Sequence, residues 1–296
     1  MTISLIFYLV FRLVIQLNEV EKPLPQGDGK NNAVIKSIIS LPEEIKETSG
    51  LAYFNNLLYT HNDKGNSNSL YALNKNNGKI ESTYTISDVK NIDWEDLAES
   101  EEYIFIGDIG NNDGNRRDLR IFKIKKSKFL NKESTNIKVD EIIEFKFADQ
   151  DQFKNSKKHN FDSEALIYFK DYLYLFSKNR GGSLCNVYKI PSKSGNYTVK
   201  IIDSFNIKGL ITGAAIAPSN NRIILTGYDK NANSFIYTLE GFNNDRFFTG
   251  KSSRIILGTF EKIGQIEGVV FEDENTIFIS SEKTKDQKPK LYKLKL

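Results

Sequence analysis

Short apolar runs rich in Ile, Leu, Tyr and Phe recur along this chain between turns built from Asn, Gly, Asp and Lys. Runs of this length and residue type predict strands; helical segments would repeat their apolar positions every 3.6 residues. A hydrophobic–aromatic pair occurs five times, as Leu70-Tyr71, Ile121-Phe122, Val187-Tyr188, Ile236-Tyr237 and Leu291-Tyr292, with aromatics 51, 66, 49 and 55 residues apart. Upstream of each pair lies a short run after an acidic or small residue: Ser49-Gly50-Leu51-Ala52, Glu95-Asp96-Leu97-Ala98, Glu164-Ala165-Leu166-Ile167, Gly213-Ala214-Ala215-Ile216 and Glu267-Gly268-Val269-Val270. Between these landmarks each copy has a second strand, at residues 57–60, 103–106, 172–176, 222–226 and 276–280. Four copies carry another strand beyond the pair, at 81–86, 141–147, 199–205 and 254–260.

The repeating unit is a four-stranded antiparallel sheet, and the expected fold is all-β, a five-bladed β-propeller. Six blades is the alternative, if the 66-residue interval hides a degenerate unit around 125–161. The fifth copy stops after its third strand. Residues 33–41 (AVIKSIISL) can supply the missing outer strand and close the ring without an exposed edge. The inner strands read small (Gly50, Ala52, Ala98, Ala165, Gly213, Ala214, Ala215, Gly268), as expected where blades crowd a common axis.

Residues 33–296 are thus assigned to one propeller domain, after a hydrophobic segment at 1–22 and a linker at 23–32. The apolar run from Thr2 to Leu17 is interrupted by Arg12; it is short for a bilayer span and fits a signal-peptide core. The expectation is an exported monomer (periplasmic, cell-surface or secreted) with no stable membrane span after processing. The 41 Lys+Arg and 38 Asp+Glu are evenly mixed, which argues against a nucleic-acid partner. One cysteine, Cys185, and two histidines, His61 and His159, leave no disulfide framework and no Cys-rich zinc site.

Stacking the copies aligns polar residues. One position holds Ser49, Glu95, Glu164, Gly213 and Glu267; two residues earlier stand Glu47, Asp93, Asp162, Ile211 and Gln265. The end of the second strand gives Asn62, Asp108, Lys178, Tyr228 and Glu282. In a propeller these positions rim one mouth of the central channel. Like charges gathered there require protons, basic partners or a cation. Oxygen donors suit calcium or magnesium, so Glu47, Glu95, Asp108, Glu164 and Glu267 are the expected Ca2+ or Mg2+ ligands. Contacts to a small-molecule, glycan or protein ligand are expected from His61, Asn62, Trp94, Arg116, Lys178, Arg180, Tyr228 and Glu282.

Each of these has a plainer alternative. Acidic residues cap turns and bond backbone amides. His61-Asn62-Asp63-Lys64-Gly65 reads as an Asx-type turn as well as an acid–base group. Trp94 is a wedge between blades or a stacking platform, and Arg116 clamps an anion or is solvated. The segment 107–114 (GDIGNNDG) lacks the Gly-Lys-Ser/Thr of a phosphate loop and fails the calcium-loop spacing of an EF-hand; it is a non-standard cation loop or a glycine-assisted turn.

The motifs Glu47-Thr48-Ser49-Gly50-Leu51-Ala52, Asp93-Trp94-Glu95-Asp96-Leu97-Ala98, Gly107-Asp108-Ile109-Gly110-Asn111-Asn112, Asp162-Ser163-Glu164-Ala165-Leu166 and Gln265-Ile266-Glu267-Gly268 resemble exported bacterial propellers of unassigned function, many of them from Bacteroidetes. The pattern is more distantly similar to the SdiA-regulated and esterase-like phytase propellers and the gluconolactonase/strictosidine-synthase group. Those relatives imply a divalent ion in the central funnel, at the kind of position held here by Glu47, Asp108, Glu164 and Glu267. Three functions remain in competition: a cation-bearing ligand-binding module, a metal-dependent hydrolase of lactonase or phosphoesterase type, and a structural or protein-interaction propeller.

Overall fold

A computed structural model describes residues 34–130, 135–182 and 184–296, so the hydrophobic segment and the linker lie outside the described residues. The first strand, β1 (Val34–Ser40), belongs to the last blade. Blade 1 is β2 (Thr48–Phe54), β3 (Leu57–Asn62), β4 (Ser69–Asn74) and β5 (Ile80–Ser87). Blade 2 is β6 (Trp94–Glu99), β7 (Tyr103–Asp108), β8 (Arg120–Lys125) and β10 (Glu141–Phe147), with β9 (Asn136–Lys138) in the connection before β10. Blade 3 is β11 (Ser163–Phe169), β12 (Tyr172–Ser177), β13 (Leu184–Pro191) and β15 (Ile201–Asn206), with β14 (Gly195–Val199) before β15. Blade 4 is β16 (Leu210–Ile216), β17 (Arg222–Tyr228), β18 (Asn233–Glu240) and β19 (Lys251–Thr259). Blade 5 is β20 (Ile266–Asp273), β21 (Thr276–Ser281), β22 (Lys290–Lys295) and, antiparallel to β22, β1.

Five sheets form a five-bladed propeller and not a six-bladed one: among the described residues, the stretch 125–161 holds the short strand β9, the outer strand β10 and a loop, with no further sheet. Two blades exceed the expected four strands. β9 leaves blade 2 to pair in parallel with β5, and β14 leaves blade 3 to pair in parallel with β10. Residues 199–205 are accordingly not one strand; the chain changes blade between Val199 and Ile201.

The strands are apolar on both faces because each blade is packed between two others. Every seam has its own core: Trp94 with Tyr59 and Phe122 between blades 1 and 2, Phe105 with Tyr188 between 2 and 3, Phe176 with Phe235 between 3 and 4, Ile224 with Ile279 between 4 and 5, and Leu58 with Phe278 between 5 and 1. The inner strands β2, β6, β11, β16 and β20 contact one another in a closed circle. Hairpin turns Asn55-Asn56 and Lys170-Asp171 place both central residues at positive φ (51° and 61°, 48° and 66°), the twist that joins right-handed strands tightly. Among the described residues no helix is long and apolar enough to cross a membrane.

One irregularity recurs and positions the site. In every blade the ladder between the first two strands shifts register near its start, between Thr48 and Leu51, Trp94 and Asp96, Ser163 and Ala165, Ile211 and Gly213, and Ile266 and Val269. A β-bulge leaves a residue unpaired and re-aims its side chain. The bulged residues are Ser49, Glu95, Glu164, Thr212 and Glu267.

Candidate functional site: an acidic funnel at the ring mouth

The bulges surround a cavity of about 200 Å3 lined by residues of all five blades: Ser49, Asp63 and Lys64; Glu95 and Asn112; Glu164, Lys178 and Arg180; Tyr228; and Gln265, Glu267 and Glu282. Glu95, Glu164 and Glu267 are about 5% exposed or less, so their carboxylates stand in a low-dielectric wall. Glu164 is neutralised within its own blade. It accepts a short hydrogen bond from Lys178 Nζ and one from Arg180 Nη2 at 3.1 Å, while Arg180 Nε binds Asp162. Burial still pushes the Glu164 carboxyl up to about 7, with Lys178 pulling the other way. Burial alone would depress the Lys178 ammonium, yet Glu164 and Glu267 hold it above its ordinary value. Its Nζ also stands 5.3 Å from the centroid of the Tyr228 ring.

Blades 1 and 2 form a different wall. Asp63, Asp93 and Glu95 each offer a carboxylate oxygen, and those atoms all lie within 4.8 Å of one another. Asp93 Oδ1 and Glu95 Oε1 are buried without a hydrogen-bond partner. The nearest ammonium to Asp93 Oδ1 is Lys64 Nζ, 3.8 Å away on a half-exposed side chain. Burial raises the Asp93 carboxyl to about 6, partly offset by Lys64, and lifts Asp63 and Glu95 as well; the charge of Glu164 lifts Glu95 further. The loop after β7 closes over this pair. A Cβ on Gly110 would stand 2.1 Å from Glu95 Oε1 and 2.5 Å from Asp93 Cγ, so the carboxylates occupy the volume that any other side chain would need. On the adjoining blade 5, burial and the charges of Asp63 and Glu164 push the Glu282 carboxyl up to about 8, and burial with the Lys178 charge acting against it leaves Glu267 well above the usual carboxylate range.

Of the residues singled out in the sequence, Glu95, Glu164, Glu267, Lys178, Arg180, Tyr228 and Glu282 meet at this cavity. Others do not reach it. Asp108 is fully buried and spoken for: Arg116 Nη2 and Arg120 Nε bind it at 3.1 Å each, and the Asp93 N–H donates at 3.0 Å. Arg116 is therefore an internal partner of Asp108 and of the Gly110 carbonyl, which its Nη1 reaches at 2.8 Å. Asn62 donates to the Glu44 carbonyl at 2.8 Å and accepts from the Glu47 N–H at 3.0 Å, fixing a turn. Glu47 accepts from Asn66 Nδ2 beside that turn. His61 and Trp94 are completely buried, their rings edge to face at 5.7 Å, so Trp94 is the wedge between blades and no stacking platform. Burial depresses the His61 imidazole to about 4, partly offset by its hydrogen bond to the Asn62 carbonyl.

The misplacement of Asn62 and Asp108 has one cause. Thr48, Trp94, Ser163 and Ile266 pair with Asn62, Asp108, Ser177 and Ser281, so the residues equivalent to Lys178 and Glu282 are Asp63 and Ile109, not Asn62 and Asp108. In blade 4 the bulged residue is Thr212, one before the Gly213 of the sequence alignment. A slip of one residue turns a strand side chain to the opposite face. Asp63 was thereby missed, and the turn Asp63-Lys64-Gly65 was the available signal for it; Lys64 and Asn112 lie in loops beyond the aligned positions, while Asp93 and Gln265 stand on the aligned rim and line or adjoin the cavity.

In fold the chain is similar to the PQQ-bound form of aldose sugar dehydrogenase from Streptomyces coelicolor (TM-score 0.52, 9% identity, 89% of this chain and 98% of that one). It is also similar to glutaminyl cyclase from Myxococcus xanthus (TM-score 0.51, 13% identity, 89% and 95%). No protein-family model matches the chain, and no curated protein matches its sequence. What the chain shares with these two enzymes at such identity is the β-propeller fold.

Proposed function

We propose that this propeller binds a small polar ligand, or the end of a polymeric one, in its central funnel with the help of a divalent cation held by Asp63, Asp93 and Glu95. The observation that carries the reading is the pair of buried, unpartnered oxygens, Asp93 Oδ1 and Glu95 Oε1, inside a three-carboxylate cluster spanning 4.8 Å. An uncompensated buried carboxylate costs several kcal/mol, and a cation offsets that cost for three groups at once. An all-oxygen donor set suits calcium or magnesium. When bound, such an ion supplies Lewis acidity and a coordination site for a ligand oxygen. The chain's own residues do the rest. Lys178, Arg180 and Gln265 bring donor groups to the rest of the lining, and Tyr228 brings a ring. The reading includes export as a monomer and kinship with the exported bacterial propellers, supported by the Thr2 to Leu17 run and by the motifs around Glu95 and Glu164.

The test is calcium titration of chelator-treated protein, followed by calorimetry and by the thermal unfolding midpoint. The expected result is a saturable heat and a rise in midpoint with calcium or magnesium, since a ligand of the native state alone stabilises it. Both responses vanish in Asp93→Asn and Glu95→Gln. A chain indifferent to both ions at millimolar concentration would leave a ring without a metal site.

One observation favours hydrolysis as a second reading. Glu282, with its carboxyl raised to about 8, keeps a proton at neutral pH in the same cavity, as a general acid requires. A screen of lactones, esters and phosphoesters with Glu282→Gln decides it: turnover lost in that variant supports an acid role, and turnover that survives removes it.

A further inference from the structure

The residue that follows each bulge is crowded against the next blade. Across the five blades this position holds Gly50, Asp96, Ala165, Gly213 and Gly268. The glycines are needed because backbone fills the adjoining space. An added Cβ would stand 2.3 Å from the Leu97 N at Gly50, 2.2 Å from the Glu267 carbonyl oxygen at Gly213 and 2.3 Å from the Ser49 carbonyl oxygen at Gly268. Blade 2 departs from this pattern. Asp96 is completely buried, its Oδ1 accepts the Leu97 N–H at 2.8 Å, and its Oδ2 accepts the N–H groups of Leu166 at 2.8 Å and Ala214 at 3.2 Å.

Leu97, Leu166 and Ala214 occupy one and the same repeat position, on β6, β11 and β16. β11 stands between β6 and β16 around the ring, so a carboxylate held by all three lies across the axis. Among the described residues no Lys, Arg or His forms an ion pair with it. Burial pushes its carboxyl well above the usual carboxylate range, and the N–H groups of Leu166, Leu97 and Ala214 pull it the other way; these main-chain dipoles are its binding partners.

We infer that the axis of the ring is an anion site built from the main-chain N–H groups of three blades, and that Asp96 is its resident anion. The ligand class is a small carboxylate, of which Asp96 is the tethered example. Converging N–H groups form such a site wherever a fold gathers them, and leaving them unpaired in a buried place is costly. The inference does not depend on any cation being bound in that funnel.

The experiment removes the tether and offers the anion free. In the full chain, Asp96→Ala lowers the thermal midpoint by about 5 °C or more. Sodium formate at about 100 mM recovers about half of that loss, while formamide of the same shape and sodium chloride of the same ionic strength do not. Wild type is unmoved by formate. Asp96→Asn folds with a lowered midpoint and no response to formate, because its amide fills the space and turns an NH2 toward donors. The inference is overturned if Asp96→Asn equals wild type in stability, or if formamide rescues Asp96→Ala as well as formate does. Should Asp96→Ala fail to fold even in formate, the Asp96→Asn comparison decides.

Discussion

Blades 2 and 3 bring the same two carboxylates to the same place in the repeat and neutralise them in opposite ways. In blade 3, Asp162 and Glu164 are met by Lys178 and Arg180 from the next strand end, and the charge is settled inside the blade. In blade 2, Asp93 and Glu95 find Asp108 and Ile109 at the equivalent strand end. The arginines that follow, Arg116 and Arg120, are consumed by Asp108. One pair is therefore a finished ion network and the other a demand for positive charge. A propeller repeats its backbone faithfully and can still give neighbouring blades opposite electrostatic tasks through two or three residues.

The largest effect on this contrast comes from Lys178→Met, which leaves Arg180 alone to pair with the buried Glu164 as well as Asp162. It is expected to cost about 3 kcal/mol in urea unfolding, most of it from the carboxylate left behind. Next come the matched substitutions Asp162→Asn and Asp93→Asn. Asp162 accepts from Arg180 and from the Asn111 N–H at 2.7 Å, so its loss costs about 2 kcal/mol. Without divalent cation, Asp93→Asn changes stability by under about 1 kcal/mol, toward greater stability, because it removes a buried like charge. The two signs, read in the same denaturant assay with chelator present, are the sharpest statement of the difference between the blades; equal losses would erase it. Gly110→Ala should weaken calcium binding at least about tenfold in calorimetry, since its methyl displaces the Asp93 and Glu95 carboxylates.

The smallest effect is on pH dependence. Asp93 near 6, Glu164 near 7 and Glu282 near 8 are all raised above their unfolded values, so the folded state binds more protons. Their contribution is complete below about pH 4 and is lost as pH rises through about 6 to 8. His61, depressed to about 4, works in the other direction, and its contribution is lost as pH falls from about 6.5 toward 4. Cation-free protein should thus lose stability as pH rises through about 6 to 8, and calcium should flatten that decline. A decline that is the same with and without calcium would separate these carboxylates from the ion.

The repeat was legible because it is written in strand-length apolar runs and in aromatic pairs that every blade needs for its seams; the closing strand at 34–40 followed from the missing fourth strand of the last copy. Glu95, Glu164 and Glu267 were legible for the same reason. Asp63 was not, and Asn62 stood in its place, as Asp108 stood in that of Ile109, because the bulge inserts an unpaired residue whose presence no composition rule marks. His61 and Trp94 look functional in sequence, where polarity is visible and burial between blades is not. Asp93 was aligned but left outside the chosen ligands, since only the approach of Gly110 and the absence of a buried cation distinguish it from Asp162.

The strands that cross between blades have a consequence for how the chain reaches this form during synthesis. Blade 1 gains its outermost strand only when residues 136–138 have emerged, blade 2 only when residues 195–199 have, and blade 5 pairs with a strand, 34–40, made before all the other blades. Blades 1 and 2 are thus completed by later stretches of polypeptide and blade 5 by an earlier one, while blades 3 and 4 hold all four strands of their own; contacts of long sequence separation of this kind slow folding.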